Sequence, residues 1–294
     1  PLLGPYTALI SHTSAYIARQ LANAHTLFNV VNTILQLPFV SLLARLIQKL
    51  IPVKDEKVYA GARYLNESLL NTSPAAALTA VRNELLNMGG MALEMLDLVK
   101  QAFASKDTGA VSKLNRVEDG LNDLTRRVAA FAAKLWQRHI SDHLSSLLES
   151  LVNGSSDIER IGDHACNIYE SAQEIHDKQM VLSAEAWAEL AVLESVIQDI
   201  LDRTLNAFEN NDLHLATKIE PLEQVVDDLV RSMRDRHIRR LRSGMCSIEG
   251  GFVLQDLLVS YERISDHCSN VAAAMVEVAE DKYDVHEYLD TLRN

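Results

Sequence analysis

Residues 156–168 read SerAspIleGluArgIleGlyAspHisAlaCysAsnIle, and residues 259–271 read ValSerTyrGluArgIleSerAspHisCysSerAsnVal. At a constant shift of 103 positions, Glu159, Arg160, Ile161, Asp163, His164 and Asn167 fall on Glu262, Arg263, Ile264, Asp266, His267 and Asn270. Agreement this dense marks an internal repeat. A looser match at a shift of 105 sets ValGluAspGlyLeuAsnAspLeu at 117–124 against LeuGluGlnValValAspAspLeu at 222–229. Glu118 and Asn122 thereby correspond to Glu223 and Asp227.

Within each copy the spacing is helical. Residues four apart drift by only about 40° around a helix, so Glu159, Asp163 and Asn167 share one stripe while Ile158, Ile161, Ala165 and Ile168 share another nearly opposite. The apolar stripe is the core face, which leaves the carboxylates on the outer side of a bundle. The same holds for Glu262, Asp266 and Asn270 against Tyr261, Ile264, Cys268 and Val271. Two carboxylates and an amide oxygen on one ridge are hard donors suited to Mg²⁺, Mn²⁺, Ca²⁺ or iron. The competing reading is a solvated acidic face whose carboxylates pair with Arg160 and Arg263 as ordinary surface ion pairs. Recurrence of the same acids, amide, arginine and histidine in both halves favours the ligand reading, because a solvated face needs no particular residues. His164 and His267 lie beside the ridge, as interhelical hydrogen-bond residues or as groups that orient a ligand. Gly162 and Ser265 share a repeat position where a small side chain allows close helix approach.

Helix punctuation carries the pattern outward. Ser73-Pro74 is a serine N-cap followed by proline at the first helical position, opening a helix to about residue 105 that the Gly89-Gly90 pair can kink. Residues 106–109 read as a turn, the stretch to about Leu151 as a second helix closed by Asn153-Gly154-Ser155-Ser156, and 156–179 as a third. Ser183–Phe208, Leu213–Arg242 and Gly251–Glu280 repeat the plan. The expected fold is all-α, with two tandem three-helix bundles over residues 75–180 and 181–285. Only 11 glycines and 6 prolines occur in 294 residues, too few turns for a sandwich or barrel. Three cysteines without CxxC spacing give neither a disulfide framework nor a thiolate zinc site, and imply a reducing compartment. With 28 Lys+Arg against 40 Asp+Glu, a net charge of −12 and no basic run, nucleic acid is excluded as a partner. No Glu-x-x-His spacing accompanies the acids, which argues against a carboxylate-bridged di-metal enzyme, and no catalytic residue is assigned.

The N-terminal part differs in character. Residues 1–53 carry Arg19, Arg45 and Lys49 and no acid, so the whole negative excess lies beyond them. From Gln20 to Ala44 there are 25 residues without formal charge, 15 of them apolar. That length crosses a bilayer, and Asn29, Asn32, Gln36 and Pro38 suit either a helix facing a transport pathway or a buried core helix. Arg45, Lys49, Lys54 and Lys57 after the span place the residues beyond 52 in the cytosol. A chain that begins at Pro1 reads as a piece of a longer protein.

The pairing of ERIGDHACNI with ERISDHCSNV, each preceded by a long acidic helix, resembles the duplicated three-helix unit of the PhoU family of phosphate-metabolism regulators, which carries an acidic ExxxD motif in each bundle. The stretches ANAHTLFNVVNTILQLPF and RYLNESLLNTSPAAALTAV are similar to the end of the membrane domain and the connector of bacterial sodium/phosphate cotransporters. The resemblance implies that residues 1–52 are the last part of such a membrane domain in the inner membrane, that 53–74 connect, and that 75–285 form a cytosolic regulatory domain. It implies a divalent or ferric metal ion (Fe, Mn, Zn or Mg) held by Glu118, Glu159, Asp163, Glu223, Asp227, Glu262 and Asp266, with Asn167 and Asn270 as neutral ligands. The implied partners are the membrane domain, the lipid bilayer, phosphate or another anion at the bound metal, and a second copy in a homodimer. The alternative is a stand-alone PhoU-type regulator of a separate transporter or kinase. Asn122 stands where the second repeat has Asp227, so the first bundle has the weaker acidic set.

Overall fold

The computed structural model describes residues 3–36, 39, 61–104 and 108–291, and divides the chain into two units, residues 1–57 and 58–294. All regular structure among the described residues is helical.

The first unit is a helical hairpin of α1 (Leu3–Ser11) and α2 (Ile17–Gln36). Tyr6 donates its hydroxyl to the Ala24 carbonyl at 2.6 Å, and the Gln20 amide donates to Ser14 O at 2.7 Å, which closes the turn. Apolar side chains on α2, among them Ile17, Leu21, Phe28 and Ile34, stand exposed, and no residue of α2 is buried. No helix among the described residues is long and apolar enough to cross a membrane. The asparagines, histidine and glutamines along α2 dilute the apolar run that length alone had promised. The rest of the expected span, apart from Phe39, and the basic residues that follow it lie outside the described residues.

In the second unit, α3 (Leu69–Thr72) leads into α4 (Pro74–Ala104), α5 (Thr108–Trp136) and α6 (Asp142–Asp177), the first bundle. The second holds α7 (Ala184–Asn210), the one-turn α8 (Leu213–Ala216), α9 (Ile219–Arg242) and α10 (Ile248–Thr291). Residues 61–73, expected as connector, dock on the first bundle: Leu70 is buried, Tyr64 N–H donates to the fully buried Glu84 at 2.8 Å, and Arg138 donates to Asn71 at 2.8 Å.

Two sequence expectations fail at one place. The second helix was expected to run to Leu151 and stop at Asn153-Gly154, yet α5 ends at Trp136 and α6 passes unbroken through both residues. The break is set by Ser141, whose hydroxyl accepts from Leu144 N–H as N-cap. Gly154 is buried, and a Cβ there would meet Leu85 at 3.4 Å, so tertiary packing holds this glycine inside a helix. Gly89 has a similar role. A Cβ on it would stand 2.3 Å from Leu205, which marks a close approach of α4 and α7, and α4 runs through the glycine pair as one helix. Leu213–Arg242 is likewise two helices, because Asp212 caps the short α8 before α9 begins. Ser73 and Ser183 cap α4 and α7 as the sequence indicates.

The third helices α6 and α10 form the broadest contact between the bundles. They run antiparallel, since His164 stacks on His267 with ring centroids 5.7 Å apart while Asn270 reaches back to Asp157. Their core faces, Ile158, Ile161, Ala165 and Ile168 on one and Tyr261, Ile264 and Cys268 on the other, are buried.

Candidate metal centre

Glu223 and Asp227 stand one turn apart on α9, and Asp266 faces them from α10. One carboxylate oxygen from each lies within 4.8 Å of the others. Glu223 is only 8% exposed. Burial and then the charges of Asp227, Glu220 and Asp266 push its carboxyl above the ordinary range, against a hydrogen bond from Gln224 that lowers it. Three carboxylates held together, one of them buried, are eased either by proton uptake on Glu223 or by a compensating cation. The protein supplies one in part: Arg263 pairs with Asp266 at 3.1 Å, but from an exposed position where such a pair is weak. The donor set fits a hard cation, and Glu223, Asp227 and Asp266 are the residues that would hold it.

The other expected ligands divide differently. Glu262 is taken by Arg234 of α9 at 2.6 Å and stays out of the trio. Asn270 donates its amide to Asp157 at 3.2 Å across the α6–α10 interface, and Asn167 is exposed. In the first bundle, Glu118 faces Asp163, and burial followed by Asp119 and Asp163 raises its carboxyl, while a hydrogen bond from the Cys166 thiol lowers it. Burial and the neighbouring Glu118 push that thiol up to about 12, so it stays protonated. Asn122 supplies the third position there, and its Oδ1 is buried without a hydrogen-bond partner among the described residues. Glu159 is also raised, first by burial and then by Asp163. Asp157 and Cys166 are the site neighbours that repeat matching does not flag, because their counterparts Ser260 and Ser269 differ from them.

Between the two acid sets, His267 Nδ1 lies 2.9 Å from Asp157 Oδ1; the carboxylate only accepts, so Nδ1 carries the proton. His164 lacks an equivalent acid because Ser260 stands at Asp157's repeat position, and its Nδ1 is buried without a partner among the described residues. Burial, followed by the charges of His267, Arg263 and Arg160 and opposed by Asp163, lowers its basicity. In the unfolded chain this histidine takes up a proton near pH 6.5, while in the fold it does so only at lower pH, so its share of stability is intact above that value and declines as pH falls through it. Urea unfolding from pH 8 to pH 5 is expected to show this decline, flattened in His164→Gln; equal slopes in both proteins would falsify the assignment.

The sequence matches the PhoU domain family twice, over residues 85–172 and 191–275, one copy per bundle. The PhoU homolog 1 of Thermotoga maritima, described as a phosphate-specific transport system accessory protein, is 23% identical over 207 residues, covering 70% of this chain and 88% of its own length. The homologue from Pseudomonas aeruginosa is 24% identical over 204 residues, 68% of this chain and 83% of its own. A Salmonella typhimurium protein named for inorganic phosphate export, YjbB, aligns at 22% identity over 98% of this chain, which spans about half (53%) of that protein's length. The crystal structure of PhoU from Pseudomonas aeruginosa superposes with a TM-score of 0.65 at 23% identity, covering 71% of this chain and all of that one. With the family pattern occurring in both bundles and extending over more than half of its residues, the chain belongs to the PhoU domain family.

Proposed function

We propose that the chain is a PhoU-type regulator of phosphate transport whose second bundle holds a hard metal ion on Glu223, Asp227 and Asp266. The duplicated family match carries the reading, and the names of the homologues, accessory proteins of a phosphate-specific transport system, supply the process. The metal would supply positive charge on an acidic surface, where it attracts phosphate or an anionic partner that the bare carboxylates repel. On this reading residues 61–291 work in the cytosol beside a transporter. The second reading, in which residues 1–52 end a sodium-dependent membrane domain of the same protein, rests on the exposed apolar side chains of α2 and on the alignment with YjbB along nearly the whole chain.

Titration of the purified chain with Mn²⁺ and then with inorganic phosphate tests the proposal. Wild type is expected to retain phosphate only when metal is present, and Glu223→Gln/Asp227→Asn/Asp266→Asn to retain neither. Phosphate retention that survives chelation, or equal metal content in the two proteins, overturns it and leaves the acids as ion-pair partners of arginine.

A further inference from the structure

One end of the second bundle is built from the α6–α7 loop, the α9–α10 turn and the start of α10. It holds four large apolar side chains in the open: Val181, Met245, Ile248 and Phe252 are 83%, 65%, 68% and 68% exposed. A Cβ on Gly250 would stand 3.5 Å from Leu182, and Lys178 feels the charge of Glu249, so the loop lies beside the helix start. Gly244, at φ +72°, turns the chain just before Met245. Ile248 and Phe252, four apart, point from one side of α10.

The repeat supplies an internal control. At the shift of 103, Met245, Ile248 and Phe252 correspond to Asp142, Ser145 and Glu149 at the start of α6. The fold therefore accepts polar residues at these positions, and the core face of α10 here is Val253, Leu254, Leu257 and Leu258, all buried. Beside the apolar tip, residues 236–248 hold Arg236, Arg239, Arg240 and Arg242 and no acid, in a chain of net charge −12. Glu189 engages Arg236 and Arg240. The Arg239 guanidinium donates to the Asp235 backbone carbonyl, and Arg239 and Arg242 are exposed without a carboxylate partner among the described residues. Of the acids near the tip, Glu185 bonds Ser183 and its own backbone, and the charge of Glu249 reaches Lys178, which pairs with Glu174.

We propose that this tip docks on an anionic lipid surface, with Val181, Met245, Ile248 and Phe252 entering the boundary between headgroups and acyl chains and Arg239 and Arg242 meeting lipid phosphates. Apolar groups flanked by unpaired basic residues are the composition of interfacial membrane contacts, and the guanidinium fork matches phosphate. The tip is too small for a stable protein partner, which engages about 20–30 residues a side. The proposal is independent of the metal reading.

The test is flotation of the full chain with phosphatidylcholine vesicles, with and without phosphatidylglycerol, together with quenching by brominated acyl chains. Phe252→Trp is expected to gain quenchable emission over wild type in the anionic vesicles alone. Met245→Asp/Ile248→Ser/Phe252→Glu, which copies the first bundle, is expected to lose about tenfold or more in affinity for them. Arg239→Gln/Arg242→Gln should flatten the salt dependence, and since all these residues are exposed, thermal unfolding should match wild type. Three results overturn the proposal: added quenching that is absent or equal in neutral vesicles; flotation of the triple variant like wild type, which assigns binding to the α1–α2 hairpin; and a Phe252→Trp shift that follows protein concentration without lipid, which assigns the tip to a second copy. Were the triple variant to unfold early, the Phe252→Trp quenching and the arginine pair decide.

Discussion

Asp227→Asn is expected to weaken Mn²⁺ binding by about 5- to 150-fold, the equivalent of roughly 1–3 kcal/mol for one ligand charge at a partly exposed site. The substitution turns the second site into the arrangement of the first, where Asn122 already occupies that position. The converse change, Asn122→Asp, places a third carboxylate beside Glu118 and Asp163 and is expected to raise affinity in the first bundle by a similar factor. Competition against a fluorescent metal indicator measures both. An Asp227→Asn protein that binds like wild type would show that Asp227 is a bystander and that its place in the trio is coincidental. Removing the metal should also leave Glu223 with its raised carboxyl, so the metal-free protein gains stability as pH falls and this residue protonates.

Loss of Glu189 is expected to be more damaging to the fold than loss of any surface acid. Its carboxylate accepts from Arg240 at 3.1 and 3.0 Å and from Arg236 at 2.7 Å, and Arg240 is buried. Glu189→Ala leaves that guanidinium uncompensated, which costs about 3–5 kcal/mol. Urea unfolding measures the loss, and the double change Glu189→Met/Arg240→Leu should recover most of it by removing both charges together. By contrast, breaking the exposed Lys178–Glu174 pair should cost at most about 0.5 kcal/mol. Similar losses in the two single variants would show that Arg240 finds other partners.

What could be seen in the sequence was local chemistry. Ser73-Pro74 and Ser183 announced helix starts because a cap depends on neighbours in the chain, and the duplicated ERI-DH motif announced the repeat because it sits on one continuous helix. Asn153-Gly154 misled because its turn propensity yields to a contact with Leu85, which lies far away in sequence. The spacing puts Glu159 and Glu262 in equivalent places, yet among the described residues only Glu262 of the two pairs with an arginine of the facing helix, since Arg234 has Ala129 as its counterpart one repeat earlier. Which ridge residues cluster is decided by the facing helix, and spacing along one helix carries no information about its partner. The polar run on α2 was visible, and it is what keeps that helix from qualifying as a membrane span.

The bundles are joined by only residues 178–183, between the end of α6 and the start of α7. A tether this short holds the two faces at a millimolar-scale effective concentration even when their contacts open. The Asp157–His267 and Asp157–Asn270 hydrogen bonds therefore need not keep the bundles together; being directional, they are met in one register of α6 against α10 and so favour it. Weakening them is expected to loosen that preference while the short tether keeps the bundles side by side.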